Sequence, residues 1–121
     1  MSRFAISAAA LAAVLTVATG APALANNYGA IAYSVDNGRH GWSYNYGSRA
    51  AAENRALDEC GAGCKVVLWF RNACGALATG DDNGYGTGWA TTRHRAETIA
   101  MLNCRQVSDN CSIVRWVCTD R

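Results

Sequence analysis

The chain carries one pattern twice, and that constrains it more than any other feature. Gly29-Ala-Ile-Ala-Tyr-Ser-Val-Asp-Asn-Gly38 lies over Gly75-Ala-Leu-Ala-Thr-Gly-Asp-Asp-Asn-Gly84, matching at Gly-Ala-aliphatic-Ala and again at Asp-Asn-Gly. The register continues: Gly41-Trp42 answers Gly88-Trp89, Ser48-Arg49 answers Thr92-Arg93, and Ala52-Glu53 with Ala56 answers Ala96-Glu97 with Ala100. Cys60 then answers Cys104, and Cys64-Lys-Val-Val-Leu-Trp69 answers Cys111-Ser-Ile-Val-Arg-Trp116. A correspondence sustained over about 45 residues per copy reads as an internal duplication.

Each copy can be read for local structure. Ile31 to Val35 is a short strand, and Asp36-Asn37-Gly38 is a hairpin signal, because Asn-Gly accepts the positive φ of a type I′ turn. In the strand that follows, Trp42, Tyr44 and Tyr46 alternate with Ser43 and Asn45 and are expected on one face. Ser48 caps a helix running to about Cys60, and Thr92 caps its counterpart to about Cys104. Val66 to Phe70 and Ile113 to Val117 close the copies as β-branched and aromatic strands. The order is β-β-α-β, twice. Neither copy can bury its sheet and helix faces alone, so the expectation is one α+β domain of about six strands and two helices with a pseudo-twofold, repeat one spanning about 28–74 and repeat two about 75–121.

The segment before the first copy has the three parts of an export signal: Arg3, an apolar run from Ala8 to Val17, and a small-residue site at Ala23-Leu24-Ala25. Cleavage after Ala25 would leave a secreted, extracellular chain from Asn26 to Arg121, with no second apolar run long enough to span a bilayer. Eleven Lys and Arg stand against nine Asp and Glu, interleaved along the chain. That balance argues against a nucleic-acid partner, since phosphate affinity scales with the cations gathered on one stripe. The one basic run, Arg93-His94-Arg95, is read as a solvated helix start.

All six cysteines fall in the exported part, and an even count in a short secreted domain reads as a disulfide framework. Cys60 ends a helix and Cys64 begins a strand, with Cys104 and Cys111 in the equivalent places. This favours pairing 60 with 64 and 104 with 111, leaving 74 with 118 to join the two copies. A zinc site is disfavoured, because paired C-x-x-C knuckles are lacking and the histidines lie far from the cysteines.

The search for chemistry yields little. The chain has no G-x-S-x-G elbow, H-E-x-x-H or phosphate-cradling loop, and no cofactor is expected. Asp81-Asp82-Asn83-Gly84 resembles part of a calcium loop, but Ala90 falls where the bidentate Glu belongs. His40 and His94 do not occupy matching places. Glu53 and Glu97 do, each on the same helix face as the small apolar residues around it; they are read first as carboxylates held by local partners such as Arg49 and Arg93, and second as a catalytic pair. Trp42, Trp69, Trp89 and Trp116 recur in register and are expected in the core. Tyr28, Tyr44, Tyr46 and Tyr85 are mostly peculiar to one copy; Tyr44, Tyr46 and Tyr85 are the candidates for a recognition surface. Asn110-Cys111-Ser112 matches a glycosylation sequon.

The runs Gly29-Ala-Ile-Ala-Tyr-Ser, Gly41-Trp-Ser-Tyr-Asn-Tyr, Ser48-Arg-Ala-Ala-Ala-Glu, Cys64-Lys-Val-Val-Leu-Trp-Phe-Arg-Asn-Ala-Cys-Gly-Ala-Leu-Ala and Gly84-Tyr-Gly-Thr-Gly-Trp resemble a family of small six-cysteine secreted bacterial proteins, domain of unknown function 4189. The family is common in actinobacteria, including mycobacteria and nocardiae. The likeness runs from about Tyr28 to Cys118, with Ile99 and Met101 departing from the Ala-rich pattern of the second helix. It implies an exported, cysteine-bridged, non-enzymatic protein, in some members associated with bacterium and host interaction, and carries over no catalytic residues. The functional expectation is a binding module for a protein or envelope partner. The alternatives are a small secreted hydrolase using Glu53 and Glu97 and a structural envelope protein; the sequence sets neither partner nor oligomeric state.

Overall fold

The computed structural model describes residues 27–120, so the proposed leader lies outside the described residues. The elements run β1 (Tyr28–Tyr33), β2 (His40–Tyr46), α1 (Arg49–Cys60), β3 (Lys65–Arg71), β4 (Cys74–Thr79), β5 (Tyr85–Ala90), α2 (Arg93–Arg105) and β6 (Ser112–Cys118). They form two antiparallel three-stranded sheets, ordered β2-β1-β3 and β5-β4-β6, each with one helix. The α+β architecture of two similar halves is therefore present. The likeness extends to a bulge: Val67 in β3 and Val114 in β6, at equivalent places, are both skipped by the pairing register.

Strand alternation explains the layers. On β1, Ala30 and Ala32 lie against Ala52, Ala56 and Cys60 of α1, while Ile31 and Tyr33 face the other way. On β4, Ala76 and Ala78 lie against Ala96, Ala100 and Cys104 of α2, while Leu77 faces the other way. Ile31, Tyr33 and Leu77 meet Phe70, Ala73 and Val117 in a shared cluster between the sheets. The order is helix, sheet, sheet, helix.

Small residues let the helices sit low on their sheets. A Cβ at Gly41 would lie 2.3 Å from the Ala56 carbonyl oxygen, and one at Gly88 would lie 2.5 Å from that of Ala96. Each helix begins as its cap dictates: Ser48 Oγ accepts from the Ala51 N–H at 3.1 Å, and Thr92 Oγ1 from the Arg95 N–H at 3.3 Å. Beneath α1, the buried Ser43 hydroxyl donates to the Ala52 carbonyl at 2.6 Å.

Four expectations are corrected. The first hairpin is not a two-residue type I′ turn. Ser34 and Arg39 close a longer loop, in which Gly38 takes a positive φ but Asn37 does not. Asn37 instead uses its side-chain oxygen to accept from the Arg39 N–H. The second hairpin does place two consecutive residues at positive φ, Asp82 and Asn83.

Trp42, Tyr44 and Tyr46 do not share a face. A bulge between the pairs Tyr28–Tyr46 and Ala30–Ser43, with Asn45 at φ 61°, turns Tyr46 toward the helix side while Trp42 stays with the inter-sheet cluster.

Nor are three of the four tryptophans core residues; Trp42 alone packs, half-buried, against the inter-sheet cluster. Trp69, Trp89 and Trp116 are 41%, 58% and 41% exposed. Trp69 and Trp116 pair with Ala30 and Ala76 on the helix-facing sides, where the Ala and Gly faces bring helix and sheet too close to admit an indole. Trp89 lies opposite Gly75 at the rim of the inter-sheet groove. Trp69 and Trp116, at equivalent places, are equally exposed, whereas Trp89 is more exposed than its counterpart Trp42.

Finally, the Cys74–Cys118 bridge does not join the halves. Cys74 opens β4 and Cys118 ends β6, and the two are directly opposite partners within the second sheet. The matching place in the first sheet is the pair Tyr28 and Arg71, whose guanidinium lies 5.0 Å from the tyrosine ring centroid. The other two bridges, Cys60–Cys64 and Cys104–Cys111, close the turns between each helix and its last strand.

Loop length sets the expected weight of each bridge. Replacing Cys74 and Cys118 by serine should cost up to about 4 kcal/mol and replacing Cys60 and Cys64 about 2 kcal/mol, measured by denaturant unfolding. In the first variant, amide exchange should accelerate first in β4 and β6.

Candidate functional site

The residues that break the likeness between the halves build a cleft on the first of them. Five residues separate Trp42 from the helix cap Ser48, but only two separate Trp89 from Thr92. The additional residues form the Asn45 bulge. Asn45 is held there from the other half: its side-chain amide donates to Asp120 Oδ2 at 3.1 Å, and its Oδ1 accepts from the Asp120 N–H at 2.8 Å. The result is a cleft of about 510 Å³ lined by Trp42, Ser43, Tyr44, Asn45 and Tyr46 of β2 with Arg55 and Glu59 of α1. Tyr44 is 51% exposed. Arg55 Nη2 donates to Glu59 Oε1 at 3.2 Å, and both side chains stay open to solvent.

Of the three candidate tyrosines, the structure brings Tyr44 and Tyr46 together and leaves Tyr85 elsewhere. Tyr85 packs on Tyr33 with ring centroids 5.1 Å apart. The Tyr33 hydroxyl donates to the Asn83 carbonyl at 3.1 Å, and burial, with Tyr85 adding a smaller effect, raises its pKa above 10.0.

Glu53 and Glu97 lie on separate helices, each occupied by its own arginine. Arg49 Nε donates to Glu53 Oε2 at 2.9 Å, and Arg93 Nε to Glu97 Oε2 at 3.1 Å. The same guanidiniums cover indoles, Arg49 at 4.5 Å from the Trp69 centroid and Arg93 at 3.8 Å from that of Trp116. These repeated Trp–Arg–Glu clasps seat each helix start on its sheet. The Arg–Glu part was legible from the i, i+4 spacing; the indole was not. His94 is exposed on α2, and Asn110, the sequon asparagine, donates to Asp81 Oδ2 at 2.9 Å.

A second polar cluster lies where β2 meets β6. Arg115 stands 3.6 Å over the Trp42 ring and donates from Nε to His40 Nε2 at 3.4 Å. Its counterpart in the first half is Leu68, which lines an apolar groove of about 420 Å³ with Val67, Trp69, Phe70, Arg71 and Trp89. Burial first, and the Arg115 charge second, lower the His40 pKa below 6.5.

The fold thus favours neutral His40. Its contribution to stability should be complete above about pH 6.5 and fall as the pH drops from there through the folded midpoint. An NMR titration should place that midpoint below 6.5, Arg115→Leu should raise it part of the way, and His40→Gln should flatten this part of the stability profile.

These features define a class: a disulfide-bonded α+β domain of two similar halves with an aromatic cleft on the first. The model for the domain of unknown function DUF4189 matches residues 28–118, and the chain belongs to that family. Protein Rv1269c of Mycobacterium tuberculosis is 53% identical over 58 residues, covering 47% of this chain and 45% of its own length. Uncharacterized protein Rv1813c of the same species is 38% identical over 93 residues, covering 76% of this chain and 60% of its own. The chain thus spans less than two thirds of these relatives. The NMR structure of Rv1813c superposes with a TM-score of 0.62 at 35% identity, over 82% of this chain and 79% of that one.

Proposed function

We propose that this is an exported, non-enzymatic binding module that engages a protein or envelope partner through the cleft carrying Tyr44 and Tyr46. The observation that supports it is the bulged end of β2, where residues found in only one half hold Tyr44 open to solvent, with Tyr46 half-buried near it, beside an ion pair. Tyrosine presents a large, stiff, amphipathic surface at low entropic cost, which suits recognition. Export is supported by the leader pattern of residues 1–25 and by three disulfides, which persist in oxidising compartments. Among the described residues no helix is long and apolar enough to cross a membrane. The carboxylates that a hydrolase would use, Glu53 and Glu97, are held apart in their clasps.

The test is retention of envelope and host-cell components on the immobilised disulfide-bonded protein, compared across variants. A component retained by the native protein should be lost with Tyr44→Ala and kept with Trp116→Ala. Retention insensitive to Tyr44→Ala, or lost equally with Trp116→Ala, would refute the assignment.

A further inference from the structure

We propose that the Tyr44 cleft binds carbohydrate, taking a neutral pyranose unit of a glycan; this rests on the binding reading above and names the ligand class. A pyranose has two kinds of surface. Its ring faces present C–H groups, which settle on aromatic rings, and its rim presents hydroxyls that are each donor and acceptor. A matching site needs ring surfaces beside groups able to bond neighbouring hydroxyls.

The cleft supplies both. Tyr44 and Tyr46 provide the rings, with Trp42 at the edge of the lining. Arg55 and Glu59 provide a planar donor and a planar acceptor 3.2 Å apart, with half and about a third of their side chains exposed. The single hydrogen bond between them leaves further N–H groups and carboxylate lone pairs for a ligand.

Charge selects among ligand classes. The two charged lining groups neutralise each other, so the cleft offers no net attraction to a phosphate, an acidic peptide or a cation. Its volume of about 510 Å³ falls inside the usual range for small-molecule sites. The wall is also set before binding, because the two Asn45–Asp120 hydrogen bonds hold the bulge, and a preformed site lowers the ordering cost of a weakly bonding ligand.

The experiment is an NMR titration of the isotope-labelled, disulfide-bonded protein with chitotetraose, cellotetraose and mannotetraose. At least one should shift the Trp42 indole and the Ser43 to Tyr46 amides with a Kd of about 1 mM or tighter. Tyr44→Ala and Arg55→Met should each weaken that binding about tenfold, while Trp89→Ala, the matching tryptophan of the other half, should leave it unchanged. Unperturbed amide spectra elsewhere would show that the variants fold.

The proposal is overturned if none of the three shifts these signals, or if Trp89→Ala weakens binding as much as Tyr44→Ala. A partner retained through Tyr44 but indifferent to periodate oxidation of its glycans would overturn the carbohydrate assignment alone and leave the binding reading standing.

Discussion

The ring of Phe70 is wedged between the two sheets, and the arrangement of the halves depends on it. A Cβ at Gly29 would lie 2.6 Å from this ring and one at Gly75 2.4 Å, so glycines opening the central part of each sheet make its room. Around it gather Ile31, Tyr33, Ala73, Leu77 and Val117, all at most 6% exposed. Neither sheet could cover these side chains alone, and burial of such a cluster is the main force available to a domain this small. The seam is finished at both ends by polar ties. At one end Asn83 donates to the Val35 carbonyl at 3.1 Å and accepts from the Tyr33 hydroxyl; at the other lies the Asn45–Asp120 pair.

Given that wedge, the halves are free to differ at their margins. The first joins β1 to β3 at Tyr28 and Arg71 by a cation on a ring, where the second uses a disulfide. One lateral seam is closed by Arg115 against Trp42 and His40; its twin has Leu68 and keeps a groove beneath the exposed Trp89. Only the first half has the bulge that forms the Tyr44 cleft. Similarity carries the scaffold, and the departures carry the surface chemistry.

The strand and helix order was legible because each element has a local cause: the caps Ser48 and Thr92, the alternation of β1 and β4, and the β-branched closing strands. Burial was less legible. Matching tryptophans look like core, but a sheet packed through Ala30, Ala32, Ala76 and Ala78 leaves no depth for the indoles of Trp69 and Trp116, which move to the edges, where arginines cover both. The Asn45 bulge left a trace in the unequal spacing to the two helix caps, whereas the part played by Asp120 is a contact across 75 residues that no local pattern encodes. Cys74 was misassigned for a similar reason: beside the closing strand of the first half, it reads as that strand's end, although register makes it the first residue of β4.

Hydrogen exchange on Phe70→Ala, with all three disulfides intact, tests the central claim most directly. Loss of the wedge should cost about 3–5 kcal/mol, and protection should fall together at Ile31 in the first half and Leu77 in the second. If β1 loosens while β4 keeps its native protection, the halves are stabilised separately, and the account of a single domain built around one shared ring is wrong.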